Sequence, residues 1–384
     1  MRFLHLADLH IGKKVNGFSM LEDQRYVLEQ VLRVAEKERL DGVLLAGDIY
    51  DKTVPAGEAV QVLDWFLTEL SALELPIYMV SGNHDSGERL SFASAMLKKN
   101  GIHIASIYNG TLEPIEVKDE YGILNLYMLP FVKPVHVRKA LMRDGEEAIQ
   151  EDEIRTYDDA VARVLSEAKV DPSARNLLVA HQLVTGAARC DSEDVTVGGI
   201  DNVNAELFDA FDYVALGHIH GPQSMTRQEV RYAGTLLKYS FSECNHKKSM
   251  TIVELKEKGD VSVELIPVRP LRDMRILKGH YAELMSQSAY EGTDCQDYLK
   301  VILTDEKEIP EVMGKLRTVY PNIMALEYDN VKSRSSSLIH SAKEVEQKRP
   351  MEYFKELYEQ QNGKDMDGEQ EKIVLDMMRE IWGE

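Results

Sequence analysis

Five short clusters of acidic, amide and imidazole side chains most limit how this chain can fold. Each cluster directly follows a run of residues that predicts a β-strand, and loops at strand ends in α/β sheets converge on ligands. Any one cluster can occur by chance, and a lone histidine after a strand usually has a structural role. Together they require a fold that brings five distant strand ends to one place. The clusters are Asp8-Leu9-His10, Gly47-Asp48, Gly82-Asn83-His84-Asp85, His181 and Gly217-His218-Ile219-His220.

The clusters supply the ligand types that two divalent cations of intermediate hardness need, namely carboxylate, imidazole and amide oxygen. A carboxylate shared by two cations holds them about 3.5 to 4 Å apart, which suits an in-line displacement at phosphorus. The sequence therefore predicts a two-metal site for phosphoester hydrolysis at the converging strand ends.

The first half of the chain alternates predicted strands with segments that carry apolar residues at helical spacing. Strands are predicted at residues 3–7, 43–46 and 77–80, and helices at residues 21–40 and 57–73. Later strands are predicted at residues 177–180, 213–216, 230–233, 250–255 and 261–267, the last of them joined by tight turns that favour antiparallel pairing. We expect an α/β fold in which two sheets pack face to face with helices outside, forming a first domain at residues 1–267.

The rest of the chain predicts three further parts. Residues 268–330 have the order strand, helix, strand, helix, strand, which indicates a small α/β capping domain, and residues 331–349 resemble a linker. Residues 350–384 predict two amphipathic C-terminal helices, whose apolar faces we expect to bind a partner or to fold back on the catalytic domain. The apolar faces consist of Phe354, Leu357 and Tyr358, and of Val374, Met377, Met378, Ile381 and Trp382.

The five clusters resemble the motifs D-x-H, G-D, G-N-H-D/E, H and G-H-x-H of the calcineurin-like metallophosphoesterase superfamily, and no motif is missing. The resemblance implies that family's two-sheet sandwich flanked by helices, and it implies a ligand set for each cation. One cation would be held by Asp8, His10, Asp48 and His220, and the other by Asp48, Asn83, His181 and His218, with Asp48 as the bridge.

His84 lies in the Gly-Asn-His-Asp motif without being one of the implied ligands. The leaving alkoxide needs a proton or a positive partner, and an imidazole titrates close to neutrality. We therefore expect His84 to be a catalytic acid, the alternative being a hydrogen-bonding role without proton transfer. Asp85 would orient that imidazole or fix the loop. Asp51 is compatible with a contact to the site or with a capping or loop role.

Three further segments narrow the resemblance to the bacterial SbcD nuclease family and its archaeal and eukaryotic break-repair relatives. They are Leu6-Ala7-Asp8-Leu9-His10-Ile11-Gly12, Leu45-Ala46-Gly47-Asp48-Ile49-Tyr50-Asp51, and Tyr232-Ala233-Gly234-Thr235 with Lys238-Tyr239-Ser240-Phe241-Ser242-Glu243. The third segment departs from the family's usual Gly-Ser-Pro, having Gly234-Thr235-Leu236 instead. The resemblance covers nearly the whole chain.

This resemblance implies a Mn²⁺-dependent DNA nuclease, with 3'–5' exonuclease activity on duplex ends and endonuclease activity on single strands and hairpins. It implies a role in DNA repair, recombination and replication together with an SbcC-type ATPase, on whose coiled coil the C-terminal helices would dock. It also implies a homodimer within a heterotetramer, formed through the helices that follow the Asp48 and Asn83 loops and including Trp65 and Phe66. No G-x-x-x-x-G-K-[ST] motif occurs, so any ATP dependence would come from another chain.

The formal net charge of −20 argues against a nucleic-acid partner, because affinity for phosphate backbones comes from clustered Lys and Arg. Two dications would offset several carboxylates, and short basic runs could line a groove. We therefore expect weak DNA binding by the isolated chain and stronger binding with a basic partner. The basic runs are Lys13-Lys14, Lys98-Lys99, Arg138-Lys139 and His246-Lys247-Lys248.

Three scattered cysteines, Cys190, Cys244 and Cys295, form no C-x-x-C pair, which favours a reducing cytoplasm over a disulfide framework or a zinc ribbon. The apolar run before Asp8 is too short for a signal peptide, and no segment has about 18 uninterrupted apolar residues. We expect a cytoplasmic protein with no membrane span.

Two other functions remain open from the residues alone. A general or small-molecule metallophosphodiesterase would share the same motifs, but it would leave the chain after residue 267 without a purpose. A non-catalytic scaffold that tethers an ATPase to DNA would not need the complete ligand set.

Overall fold

The computed structural model describes residues 1–142, 153–193, 201–330, 351, 354–355, 358 and 366–382. The chain divides into two compact units. The first unit comprises Met1–Leu277, Met285–Val301 and Glu311–Leu326, and the second comprises Lys278–Leu284, Ile302–Pro310 and Glu327–Glu384. Within the described ranges, none of the helices has the length and apolar character needed to cross a membrane. The predicted domain boundaries at residues 267 and 330 stay predictions.

The strands in chain order are β1 Arg2–Leu6, β2 Lys14–Val15, β3 Phe18–Ser19, β4 Gly42–Ala46, β5 Ile77–Val80, β6 Ile102–Ala105, β7 Ile115–Asp119, β8 Gly122–Leu129, β9 Arg175–His181, β10 Leu183–Val184, β11 Asn202–Val203, β12 Tyr213–Gly217, β13 Gln223–Ser224, β14 Val230–Tyr232, β15 Ser249–Leu255, β16 Val261–Pro267, β17 Met274–Gly279, β18 Tyr298–Leu303 and β19 Ile323–Tyr328. The α-helices are α1 Leu21–Lys37, α2 Gly57–Ala72, α3 Gly87–Leu90, α4 Ser94–Leu97, α5 Pro134–Leu141, α6 Tyr157–Ala168, α7 Tyr281–Leu284, α8 Gln287–Tyr290, α9 Val312–Arg317 and α10 Gly368–Trp382. Short 3-10 helices lie at Lys98–Asn100, Ala205–Phe208 and Phe241–Glu243.

Two six-stranded sheets form the core of the first unit. One has the order β16-β15-β1-β4-β5-β6, in which β1, β4, β5 and β6 run parallel while β15 and β16 pair antiparallel. The other has the order β13-β14-β12-β9-β8-β7, with β8, β9, β12 and β14 parallel and an antiparallel strand at each edge. The parallel strands of each sheet therefore end at a common edge.

The two sheets pack face to face, with helices on their outer faces. A buried apolar layer joins side chains of the first sheet, such as Phe3 and Tyr78, to side chains of the second, such as Leu126 and Tyr213. Helices α1 and α2 cover the outside of the first sheet, and α5 and α6 cover the outside of the second. This arrangement confirms the predicted two-sheet α/β sandwich flanked by helices.

Helix α1 follows directly from its sequence pattern. Val27, Leu28, Val31 and Ala35 recur at helical spacing and are all buried against the first sheet, so one face of the helix contributes to the core. Phe66 on α2 is likewise fully buried. Because its side chain packs inside the core, Phe66 cannot contribute to a dimer contact on the surface. The prediction that it does so was wrong.

The hairpin of β7 and β8 was missed by the sequence analysis. Strand β7 lies at a sheet edge, where its side chains alternate between half-buried and exposed, so its apolar pattern is weak. The hairpin nevertheless carries a structural ion pair at its turn. Arg175 on β9 donates two hydrogen bonds to the Asp119 carboxylate, at 2.7 and 3.0 Å.

This ion pair makes stability depend on pH in a defined way. The hydrogen-bonded Arg175 guanidinium lowers the pKa of Asp119 to about 2, so the pair stabilises the fold above the usual carboxyl pKa and loses that effect as pH falls towards about 2. We expect Asp119→Asn to lower the free energy of unfolding by about 2 kcal/mol near neutral pH, with the difference from wild type shrinking in acid. Urea titrations at neutral and acidic pH measure this, with the exposed neighbour Glu120→Gln as control. A deficit of equal size at both pH values would contradict the assignment.

A three-stranded sheet in the order β17-β18-β19, with short helices α7, α8 and α9, follows the two large sheets in the chain. The order predicted for residues 268–330 had one helix between the first two strands, whereas two short helices, α7 and α8, lie there. Near the C-terminus, α10 exposes Ile373, Leu375 and Met377. The predicted linker at residues 331–349, together with Leu357, lies outside the described residues, as do the side chains of Ile381 and Trp382.

Candidate metal centre

The five predicted clusters converge on the carboxyl ends of neighbouring parallel strands. Asp8, Asp48 and Asn83 follow the adjacent strands β1, β4 and β5 of the first sheet, while His181 ends β9 and His218 follows β12 in the second. Hydrogen bonds tie the two strand-end sets together. The His181 Nδ1–H donates to the Ala46 carbonyl oxygen at 2.9 Å, and the His218 backbone N–H donates to the Asp8 carboxylate at 3.0 Å.

The backbone at four of these residues adopts left-handed dihedrals that L side chains rarely adopt. The φ angles are 53° at Asp8, 44° at His10, 48° at Asp48 and 108° at His218. Such strain persists where the surrounding structure enforces it, and it concentrates at functional sites. The loops are thus held in conformations that turn these side chains towards one another at the cost of local backbone strain.

Two motif glycines are required by close approach. A Cβ at Gly82 would lie 2.1 Å from Asp48 Oδ1, and one at Gly217 would lie 1.7 Å from the Ala46 carbonyl oxygen. Both distances are far inside van der Waals contact. The glycines that precede Asn83 and His218 therefore let the two loops reach Asp48 and β4.

The first predicted ligand group is assembled around His10. His10 Nε2 lies 3.1 Å from His220 Nε2 and 3.6 Å from Asp48 Oδ2. Asp8, His10 and His220 each offer one ligand atom, and these atoms lie within 4.8 Å of one another. Asp48 is the fourth member of this group, and all four side chains are buried.

The second predicted ligand group is assembled around Asn83. Its Oδ1 lies 3.0 Å from His181 Nε2 and 2.9 Å from His218 Nδ1. His181 Nε2 also lies 3.4 Å from Asp48 Oδ2, so the Asp48 carboxylate faces both groups. The structure thus brings all seven residues predicted as metal ligands into one cluster.

The electrostatics of the cluster fit divalent cations. Burial lowers the pKa values of His10 and His218 to about 3, so their imidazoles are neutral and their ring nitrogens can donate lone pairs to a metal. Burial raises the pKa of Asp8 well above its usual range. Burial alone would also raise the pKa of Asp48, but the neighbouring His181 lowers it well below the usual value. The cluster combines two carboxylates, four imidazoles and one amide oxygen, and these donor types suit two divalent cations.

His84 stands at the open side of the cluster. Its side chain is 18% exposed, whereas that of His10 is 0% exposed. The Nδ1–H donates to the Asp51 carbonyl oxygen at 3.0 Å, which turns Nε2 to within 4.0 Å of Asp48 Oδ2. The His84 backbone N–H also donates to Asp48 Oδ1 at 2.9 Å. His84 therefore presents one ring nitrogen where a substrate could meet it.

Asp85 contacts backbone rather than the His84 ring. Its carboxylate accepts hydrogen bonds from the N–H groups of Ile49, Tyr50 and Gly82, at 2.9 to 3.1 Å. These contacts join the Asp48 loop to the Asn83 loop. Of the two predicted roles for Asp85, this geometry favours fixing the loop.

Asp51 takes part in the site through a side-chain contact as well as its carbonyl oxygen. Its carboxylate lies 2.8 Å from the Lys13 ammonium and 3.7 Å from His10 Nδ1. Lys13 is thus paired beside the cluster.

Lys248 is buried, so the prediction that it lines a groove for DNA was wrong.

A buried network that the sequence analysis missed supports His220. The His220 Nδ1–H donates to Ser192 Oγ at 2.6 Å, and the Ser192 hydroxyl donates to Glu243 Oε1 at 2.6 Å. The Lys248 ammonium donates to Glu243 Oε2 at 2.5 Å and to the His220 carbonyl oxygen at 2.9 Å. Glu193 accepts from the His220 backbone N–H at 2.7 Å. We call Ser192, Glu193, Glu243 and Lys248 the His220 network.

The His220 network fixes the tautomer of the ring. Because Nδ1 carries the proton that it donates to Ser192, the lone pair of the neutral ring lies on Nε2, which faces His10. Burial would raise the pKa of Glu243, but the adjacent Lys248 lowers it, so the carboxylate stays ionised at the end of the network. Only Glu243 could have been noticed in the sequence, because it is the last residue of the Lys238 to Glu243 segment that resembles the SbcD family.

Removing the Ser192 hydroxyl tests the network. We expect Ser192→Ala to weaken Mn²⁺ affinity about ten-fold, because His220 loses the hydrogen bond that orients its ring, while the fold is retained. Isothermal titration with Mn²⁺ measures the affinity, and circular dichroism monitors the fold. The exposed Ser224→Ala on β13 is the matched control. Unchanged affinity in Ser192→Ala would show that this hydrogen bond does not position His220 for a metal.

The sequence is similar to those of known proteins. A family model described as Calcineurin-like phosphoesterase matches residues 1–222, and one described as Type 5 capsule protein repressor C-terminal domain matches residues 270–362. The chain is 33% identical over 330 residues to a Staphylococcus epidermidis protein named as the SbcD component of the SbcCD nuclease, covering 85% of each chain.

Two solved structures are also similar. A dimetal phosphatase from Danio rerio has a TM-score of 0.42 at 14% identity, covering 71% of this chain and 98% of its own. A Thermus thermophilus protein has a TM-score of 0.38 at 12% identity, covering 69% of this chain and 98% of its own.

Proposed function

Because this chain belongs to the SbcD nuclease family of calcineurin-like phosphoesterases, we propose that it cuts DNA at a centre of two divalent cations bridged by Asp48. The chain is a phosphodiester hydrolase, a metal-dependent nuclease that works with an SbcC-type ATPase. The observation that carries the proposal is the convergence of seven potential ligands in one cluster, with the buried Asp48 carboxylate facing both ligand groups. Within that activity we propose 3'–5' exonuclease action on duplex ends and endonuclease action on single strands and hairpins, serving repair and recombination.

Each cation would have its own ligand set. Asp8, His10, Asp48 and His220 would hold the first, and Asp48, Asn83, His181 and His218 would hold the second. We propose Mn²⁺ as the metal, since mixed carboxylate and imidazole ligands suit it, as they also suit neighbouring transition metals. When bound, the two cations activate a water and neutralise the non-bridging phosphate oxygens.

The chain's own side chains would complete the reaction. His84 Nε2, on the open side of the cluster, is positioned to give a proton to the leaving alkoxide or to stabilise its charge. Asp85 would hold the His84 loop and the Asp48 loop in a fixed relative position through its three hydrogen bonds to backbone N–H groups. Six of the seven proposed ligands, all except the half-buried Asn83, are buried and would exclude bulk water.

We propose that the C-terminal helices at residues 350–384 dock on the coiled coil of the SbcC-type ATPase. Phe354, Ile373, Leu375 and Met377 are exposed apolar side chains in this region, and such side chains favour burial against a partner. Residues 268–330 would serve as the DNA-contacting capping domain, and residues 331–349 as the linker to these helices.

We also propose a homodimer within a heterotetramer, formed near the helices that follow the Asp48 and Asn83 loops. Exposed Val60 on α2, with Phe92 and Met96 just after α3 and on α4, support that surface; Phe92 is 83% exposed. Trp65 is partly buried beneath Arg25, whose guanidinium lies 4.4 Å from the ring centroid.

A cytoplasmic location is supported by the three free thiols, Cys190, Cys244 and Cys295.

Cleavage of labelled single-stranded and hairpin DNA by the purified full chain tests the proposal. We expect cutting with Mn²⁺ and none with EDTA, and stronger DNA binding after an SbcC-type ATPase is added. A chromogenic phosphodiester is assayed in parallel. Turnover of that small ester with DNA left intact, even with the ATPase present, would make the chain a general phosphodiesterase.

A further inference from the structure

A cleft of about 690 Å³ opens beside the proposed metal centre. It shares Asn83, Phe131 and Lys133 with a smaller recess of about 220 Å³, which His218 also lines. Ligand pockets for small organic groups span roughly 300–1,000 Å³, so the larger cleft has room for a nucleotide. Phe131 thus lines both cavities, and no step of the proposed hydrolysis uses it.

Phe131 is half-buried and lines the cleft with its aromatic ring. Its backbone N–H donates to the Ser81 carbonyl oxygen at 2.9 Å, which fixes the residue to the loop that begins the Gly-Asn-His-Asp motif. The ring is nearly parallel to that of His218, with centroids 6.4 Å apart, and is edge-on to His181 at 6.0 Å. The aromatic surface therefore lies one ring away from two proposed metal ligands.

The larger cleft is also lined by two lysines and a histidine. Lys133 directly precedes α5, while His136 and Lys139 lie on that helix, and all three are exposed. Glu88 is an acidic side chain of the lining, and it accepts a hydrogen bond from Ser86 Oγ at 3.0 Å. An aromatic platform beside lysines is the combination by which proteins hold single-stranded nucleic acid, with bases on the ring and phosphates near the cations.

We infer that this cleft binds the DNA nucleotide next to the scissile phosphate, with its base stacked on Phe131 and its neighbouring phosphate facing Lys133 and Lys139. The inference rests on the proposed nuclease function and specifies the substrate. A base reaches the ring only when it is unpaired. The cleft therefore selects an unpaired nucleotide at the metal centre, in a single strand, a hairpin loop or a frayed duplex end.

Kinetics on matched oligonucleotides test the inference. One oligonucleotide has normal bases, and the other carries abasic residues on both sides of the scissile bond. For the normal substrate we expect Phe131→Ala to raise KM about ten-fold or more, since a base–aromatic stack contributes about that much binding. We expect Phe131→Trp to keep the wild-type KM. On the abasic substrate, wild type and Phe131→Ala should have the same KM.

A binding readout separates stacking from catalysis. Fluorescence of 2-aminopurine placed next to the scissile position should be quenched by wild type and by Phe131→Trp, and not by Phe131→Ala. Titration with Mn²⁺ should give the same affinity for all three proteins. If Phe131→Ala raises KM equally for both oligonucleotides, or weakens Mn²⁺ binding, the ring supports the ligand histidines and the inference is overturned. If wild type cuts neither oligonucleotide, the nuclease proposal fails, and the quenching measurement alone decides whether the base stacks.

Discussion

Replacing Asp48 by asparagine is expected to lower metal-dependent DNA cleavage by about 10³-fold or more. Asp48 Oδ2 lies 3.4 Å from His181 Nε2 and 3.6 Å from His10 Nε2, so this carboxylate faces both proposed ligand groups. Asparagine has nearly the same shape but no negative charge and only one oxygen. The loss of a bridging carboxylate removes several kcal/mol of metal-dependent charge stabilisation, which corresponds to that change in rate.

The control for this variant is Asp64→Asn, a matched change at an exposed position on α2. It should cut DNA at the wild-type rate. The fold of Asp48→Asn should be retained, because the asparagine oxygen can still accept the hydrogen bond from the His84 backbone N–H. Wild-type cleavage by Asp48→Asn would contradict the proposed bridge.

The second large effect is expected for His84→Gln, which should lower kcat on DNA by about 10²- to 10⁴-fold. The His84 Nδ1 bond to the Asp51 carbonyl oxygen holds Nε2 towards the site, where it can serve the leaving oxygen. A nitrophenolate leaving group needs no proton. The same variant should therefore lose much less activity on a chromogenic nitrophenyl phosphodiester than on DNA.

Two measurements separate proton donation from a structural role of His84. Mn²⁺ affinity should be unchanged in His84→Gln, and His103→Gln, a histidine stacked on Tyr78 away from the site, should behave as wild type. If His84→Gln loses the same factor on both substrates, the imidazole acts by hydrogen bonding without proton transfer. That result would favour the alternative role and exclude the acid.

The strand-end motifs could be predicted from the sequence because their chemistry is local. Asp8 and His10, Gly82 and Asn83, and His218 and His220 stand close together in the chain and directly after apolar strands. The parallel strand order then brings them to one edge, which is how a set of local patterns predicted one site. The two-sheet fold followed from the same alternation of strands and helices.

The supporting residues could not be predicted because their contacts are long-range and their residue types are ordinary. Ser192 meets Glu243 across 51 residues of chain, and no periodic pattern links them. Phe131 resembles any apolar residue after a strand until its ring is seen beside His218. Lys248 lies in a basic run that predicts a surface, yet its ammonium is buried by its pairing with Glu243. Tertiary contacts, rather than local spacing, decide the role of each of these residues.

Anomalous X-ray scattering from crystals of the full chain grown with Mn²⁺ tests the binuclear centre most directly. We expect two manganese peaks about 3.5 to 4 Å apart with the Asp48 carboxylate between them. One peak should lie beside His10 and His220, and the other beside Asn83, His181 and His218. A single peak, or two peaks that do not share Asp48, would rule out a binuclear centre bridged by this carboxylate.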